Sequence, residues 1–229
     1  MPVLPPIDPA SVVVRGDDVS AEAFAGFLAD GDEELALWAL QIALGDTPRA
    51  QVYDTFVREA MAVVGERWQS GRWTISEEHL ASRTLTRVLV SVAPAEGRAE
   101  RIAPVAVLAG AAGEEHALGL LLLAHVLRES GFAVADLGPN VPADDLVRYV
   151  TKFGAQLVAL TAAKTERAEA LRDTVAALKA LPVAPVVVVG GRIAETPAPS
   201  ITGADWMGTS LREMARFAAT LLPEAGTKL

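Results

Sequence analysis

Cysteine is absent from all 229 residues, which excludes disulfides, thiolate metal sites, Cys nucleophiles and thioether-linked chromophores. Aromatic residues make up only 5% of the chain, with 4 Trp, 2 Tyr and 6 Phe, and there are just 3 His. Basic side chains are outnumbered, 20 Lys and Arg against 29 Asp and Glu, for a formal charge of −9. No basic cluster reverses that balance locally, so general electrostatic attraction to nucleic acid or to an anionic membrane is excluded. Long apolar runs are missing too. Stretches such as Leu118 to Ala124 fall well short of a bilayer span. The opening "MPVLPPIDPASVVVRGDD" has no charged n-region and no long apolar core, and does not read as a signal peptide. The expectation is a soluble, cytoplasmic protein.

What is present is a large apolar fraction, 51%, enough for substantial cores. Residues 1–18 are Pro-rich and read as an extended lead-in. Four helices are then expected over residues 19–94, forming an antiparallel bundle. The first runs from a Ser20 cap to Gly31, and the second ends at Gly45. The third opens on Thr47 as cap with Pro48 at its first helical position, and carries Val52, Phe56, Val57, Ala60, Val63 and Val64 as a stripe. The fourth spans "ISEEHLASRTLTRVLVSV". Residues 95–101 read as a linker. From 102 to 229 the pattern changes to short apolar runs, "PVAVLAG", "FAVADLG", "AQLVALT" and "PVVVVGG", alternating with helical segments near 115–130, 142–153, 164–180 and 210–222. Buried strands alternating with helices predict a doubly wound parallel sheet of the Rossmann or flavodoxin-like kind. The fold class is therefore α plus α/β.

Such sheets bind ligands at the C-terminal ends of their strands. After the first run comes "AGAAGEEHALG", with Glu114 two residues before His116 and Gly119 three after it, at the expected start of a helix. An imidazole there can offer one nitrogen to a metal while a carboxylate holds the other. The same residues also suit an ordinary helix start with acidic side chains favoured by the dipole. The third run ends in Thr161 and the fourth in Gly190-Gly191, all common turn residues when taken singly.

In order, E-x-H-x-x-G is followed after 41 residues by a hydroxyl residue, and Gly-Gly follows Ala163 after 26 more. This constellation resembles the cobalamin-binding domain of methionine synthase and the B12-dependent mutases. The resemblance implies that His116 is the lower axial cobalt ligand and Glu114 its hydrogen-bonded partner. It implies that Gly119, Thr161, Gly190 and Gly191 line a channel for the displaced nucleotide tail, with Thr209 also in reach of it. Asn140 and Val141, in "LGPNVP", would lie near the corrin edge. The departure is Ala163, where the family has Leu.

The helical half carries a second motif. In "RWQSGRWTISEEHLASRTL", Ser70-Gly71 ends one helix, and Thr74 with Glu77 forms a capping box for the next. Trp68 and the Glu78-His79 pair are expected to face each other across that hairpin, which a buried Trp and a first-turn acidic pair would also explain. Trp, nine residues, then Glu-His resembles the CarH- and LitR-type cobalamin photoreceptors. By that resemblance Trp68 packs over the upper axial group of adenosylcobalamin (or methylcobalamin), with Glu78 and His79 beside it. Light would break the cobalt–carbon bond, move the helical cap and change a homo-oligomer or a separate signalling partner, with no enzymatic turnover. Two departures stand out: the family's helix-turn-helix domain is not seen, so direct DNA binding is not expected, and Gln69 replaces the His after the Trp. The photocobilins, a related group, add a bilin; without Cys a biliverdin would be noncovalent. The alternative reading is a corrinoid methyl-carrier of a methyltransferase system. His125, Trp38, Trp73, Trp206 and the Glu33-Glu34 pair are assigned structural or surface roles.

Overall fold

The computed structural model describes residues 19–94, 103–195 and 203–222. The lead-in at 1–18 and the linker at 95–101 lie outside them. By backbone contacts the chain divides into two units, Met1–Pro48 with Thr55–Val88, and Arg49–Asp54 with Leu89–Leu229.

The helical unit is built by its caps and its apolar stripes. Helix α1 (Ala21–Asp30) starts where the Ser20 hydroxyl accepts from the Ala23 N–H at 3.1 Å, and stops at Gly31 with φ 74°. Helix α2 (Glu33–Leu44) starts in the same way on Asp32, whose carboxylate accepts from Leu35 N–H at 3.0 Å. Helices α4 (Arg58–Gln69) and α5 (Ile75–Ser91) complete it. Phe24, Leu28, Leu40, Val57, Ala60, Val64 and Leu85 are buried, and the Phe24 and Phe56 rings stack at 4.9 Å.

The third helix departs from expectation. It begins at Arg49, with Pro48 just outside, as α3 (Arg49–Val52). It then widens into a π-helical stretch, Tyr53–Val57, before α4. The boundary between the two units falls inside that stretch, after Asp54. A π turn inserts one residue and re-aims the side chains around it. Here Tyr53 and Asp54 join the α/β unit while Phe56 and Val57 remain with the helices.

The α/β unit is a five-stranded, wholly parallel sheet in the order β2-β1-β3-β4-β5. Its strands are β1 (Val105–Gly110), β2 (Ala133–Asp136), β3 (Leu157–Thr161), β4 (Val186–Gly190) and β5 (Trp206–Met207). Its helices are α6 (Leu118–Glu129), α7 (Ala143–Phe153), α8 (Ala168–Lys179) and α9 (Leu211–Ala219). Alternate strand residues serve opposite faces, the period of two of an extended chain. Val107, Ala109, Val158, Leu160, Val187 and Val189 pack with Leu146, Val150, Leu171 and Val175 of α7 and α8. Ala106, Leu108, Leu157, Ala159 and Val188 pack with Leu120, Leu127, Met214 and Ala218 of α6 and α9. Both faces are covered, which is why the strands read as continuous apolar runs. The two-residue β5 has no such run and no sequence signal; Trp206 holds it by stacking on Phe217 at 6.4 Å.

Candidate functional site

The strand order reverses between β1 and β3, and the loops leaving those strands meet at the C-terminal edge. Gly110 closes β1 and pairs with Thr161 closing β3, which pairs in turn with Gly190 closing β4. Thr161 and Gly190, singled out above, are therefore side by side, with Gly110 on the other flank of Thr161.

Glu114 is the buried hub of the loop after β1, only 3% exposed. Its Oε1 accepts from the N–H of Glu115 at 2.9 Å and of His116 at 2.8 Å, and also meets His116 Nδ1. Its Oε2 accepts from the N–H of Ala163, in the loop after β3. Burial by itself pushes the Glu114 carboxyl up. The N–H groups of His116 and Ala163, with the His116 ring, outweigh that and hold it below the usual carboxylate value. The expected helix start near 115 is corrected: residues 114–117 stay in the loop, His116 among them, and α6 begins at Leu118.

The His116 side chain is 66% exposed. With Nδ1 committed to Glu114, Nε2 is the nitrogen left to bind, and no described residue hydrogen-bonds it. Gly119, in the first turn of α6, has nothing within 4 Å of where a Cβ would stand. Asn140 adopts φ 57° and its Oδ1 accepts from Gly113 N–H at 2.7 Å, tying the β2 loop to the β1 loop. Val141 donates to the Gly110 carbonyl at 3.0 Å. At Gly191, φ is 89° and a Cβ would lie 2.5 Å from Thr161 Oγ1 and from the Ala162 carbonyl. Only glycine fits there. Thr209 is half-buried just before the cap of α9. The structure thus gathers Glu114, His116, Asn140, Val141, Thr161, Gly190 and Gly191 on the strand-end loops.

Trp68, Glu78 and His79 belong to the helical unit. Trp68 is 43% exposed near the end of α4. Glu78 accepts from the Ser82 hydroxyl at 3.1 Å and lies 3.5 Å from its neighbour His79. No hydrogen bond or ring contact joins Trp68 to that pair among the described residues. The capping box is present, with Thr74 N–H donating to Glu77 Oε2 at 2.6 Å and Glu77 N–H to Thr74 Oγ1 at 3.3 Å. Arg67 lies over the Trp73 ring at 4.8 Å.

Two arrangements carried no sequence signal. His125, nine residues after His116, is fully buried and shares a 2.9 Å hydrogen bond through Nδ1 with the Tyr53 hydroxyl. Asp54, also from the π stretch, caps α9: its carboxylate accepts from Ser210 Oγ at 2.7 Å, Leu211 N–H at 2.8 Å and Arg212 N–H at 2.9 Å.

Chemically, the site offers one imidazole, oriented by a buried carboxylate, above backbone kept bare by glycine. Among the described residues no group of three His, Asp or Glu side chains could hold a bare metal ion. A single nitrogen donor instead suits a metal that arrives already ligated by its own macrocycle.

Comparison with known proteins agrees. Residues 104–213 match the B12 binding domain, and residues 20–91 match a second B12 binding domain model. The chain is a cobalamin-binding protein, its helical and α/β halves both accounted for. It is 38% identical over 160 residues to the HTH-type transcriptional repressor CarH of Myxococcus xanthus, a match over 69% of this chain and 52% of that one. The chain thus spans about half the repressor's length. It is 25% identical over 193 residues to dimethylamine corrinoid protein 3 of Methanosarcina acetivorans, covering 83% of this chain and 91% of that protein. The monomethylamine corrinoid protein of Methanosarcina barkeri has the same fold, with a TM-score of 0.70 at 19% identity over 88% of this chain and 97% of that one.

Proposed function

We propose that this chain is a light-sensing cobalamin protein without a reaction of its own, acting in the cytoplasm through a second copy or a separate signalling partner. The observation that carries the reading is the Trp68, Glu78, His79 motif on the α4–α5 hairpin, in a chain 38% identical to CarH over 69% of its length. An alkylcobalamin, when bound, supplies a cobalt–carbon bond that visible light breaks. His116 would hold the cobalt through Nε2, and Glu114 would keep the ring in the tautomer that leaves Nε2 unprotonated. Asn140, Val141, Gly119, Thr161, Gly190, Gly191 and Thr209 would receive the corrin edge and the displaced nucleotide. Trp68, with its indole exposed, would meet the upper ligand, and Glu78 and His79 would complete that wall. Loss of the upper ligand would remove what Trp68, Glu78 and His79 meet, and so would bias the helical unit between two arrangements.

The test is reconstitution with adenosylcobalamin in the dark, followed by spectra and size-exclusion chromatography before and after green light. A spectral change with a change in mass, or in capture of a partner, is expected. Light-insensitive spectra with unchanged mass would defeat the sensor reading. They would favour a methyl carrier instead, for which the corrinoid relatives, matched over 83% of this chain, are the supporting observation. Methylation by a corrinoid methyltransferase would then be the readout. A noncovalent biliverdin as second chromophore predicts extractable pigment absorbing in the red, and holo-protein with only cobalamin bands would sink it.

A further inference from the structure

Arg167 sits in the 3₁₀ turn Thr165–Arg167 that follows β3, six residues beyond Thr161. Its guanidinium lies on the loop that carries Glu114 and His116: a Cβ at Gly113 would stand 2.5 Å from Nη1 and 2.6 Å from Cζ. Gly113 is held there by φ 79° and by its N–H bond to Asn140 Oδ1 at 2.7 Å. The cation is thus set at the strand-end edge among loops from β1, β2 and β3. Among the described residues no ion pair to it is found, and its Nε is buried without an acceptor. This in a chain of charge −9, where carboxylates to pair with are plentiful. Leaving a buried donor of a charged group unmet is costly unless something arrives to accept from it.

We infer that Arg167 is the anion-recognition residue of this site, taking the phosphodiester of the nucleotide loop of cobalamin. The inference rests on the cobalamin reading. The remaining peripheral groups of cobalamin are neutral amides, hydroxyls and methyls, so that phosphodiester is the anion the cofactor brings. An arginine meets it through paired N–H donors in a way a neutral side chain cannot. Arg167 thereby distinguishes the complete cofactor from corrinoids that lack the nucleotide.

The test compares cobalamin with cobinamide, which lacks both phosphate and base, on the full chain as wild type, Arg167→Gln and Arg167→Lys. Arg167→Gln should lose about tenfold or more in cobalamin affinity, the worth of a charge-assisted hydrogen bond, and leave cobinamide affinity unchanged. Arg167→Lys should recover part of the loss. Added salt should weaken cobalamin binding to the wild type more than to Arg167→Gln. Equal losses for both corrinoids would make Arg167 a mere prop for the Gly113 loop and overturn the inference, as would no loss for either. If the wild type bound neither corrinoid, the cobalamin reading itself would fall, a result distinct from both.

Discussion

At the scale of the residue, Glu114 does the most with the fewest atoms. One buried carboxylate accepts two N–H groups of its own loop, one from the neighbouring loop, and the Nδ1 edge of His116. Glu114→Ala should weaken cobalamin binding about 10- to 100-fold, the usual cost of removing the group that orients a metal-bound imidazole. An absorbance titration measures it. His116→Ala should abolish the spectrum of imidazole-ligated cobalamin outright. His125 makes a different prediction. Burial, then the charges of Arg128 and Arg49, lower its pKa from 6.5 to about 4. The unfolded chain therefore takes up a proton before the folded one does. The stabilisation is complete above pH 6.5 and is lost as pH falls toward 4, on the order of 3 kcal/mol at about 1.4 kcal/mol per unit. Urea midpoints measured between pH 7 and 4.5 should fall more steeply for wild type than for His125→Gln. Parallel slopes would refute it.

At the scale of the element, the ends of helices carry more information than their middles. Ser20 and the Thr74–Glu77 box were legible in advance, because a cap is a contact over three residues and needs no tertiary partner. Thr74→Ala should destabilise the helical unit by about 1 kcal/mol in thermal or urea melts. Ser210 caps α9 locally, its hydroxyl accepting from Glu213 N–H at 3.2 Å, but the further bonds to Asp54 were not legible, because Asp54 stands 156 residues before Ser210. Asp54→Ala should cost about 1–2 kcal/mol, with the loss seen first as faster amide exchange in α9. The start of α6, at Leu118 rather than near 115, is also not a local matter: Glu114, at the head of that segment, is held across to Ala163 N–H in the loop after β3. The π stretch Tyr53–Val57 is likewise invisible in a stripe that looks continuous at a period of 3.6. Its extra residue is what lets one helix serve two units.

For the whole molecule, a ligand that binds only the folded form must raise stability. Cobalamin at about 100 times its Kd should add about 2.7 kcal/mol, and His116→Ala should forfeit most of that gain. Differential scanning of apo and reconstituted protein reads this directly. The sequence by itself determined the class of fold and the chemistry of the strand ends. Short apolar runs with Gly or Thr behind them, alternating with helical segments, read as strands of a parallel sheet covered on both faces, and such sheets bind ligands at the loops after their strands. It also determined that Glu114 and His116 would be neighbours, since only one residue separates them. Which loops come together was decided by the tertiary structure. The order β2-β1-β3-β4-β5 sets Thr161 beside Gly110 and Gly190, brings Ala163 N–H to Glu114, and lays Arg167 on Gly113. No spacing along the chain encodes those distances. Strand pairing does, because each hydrogen-bonded neighbour lies only about 4.8 Å away, whatever the number of residues between.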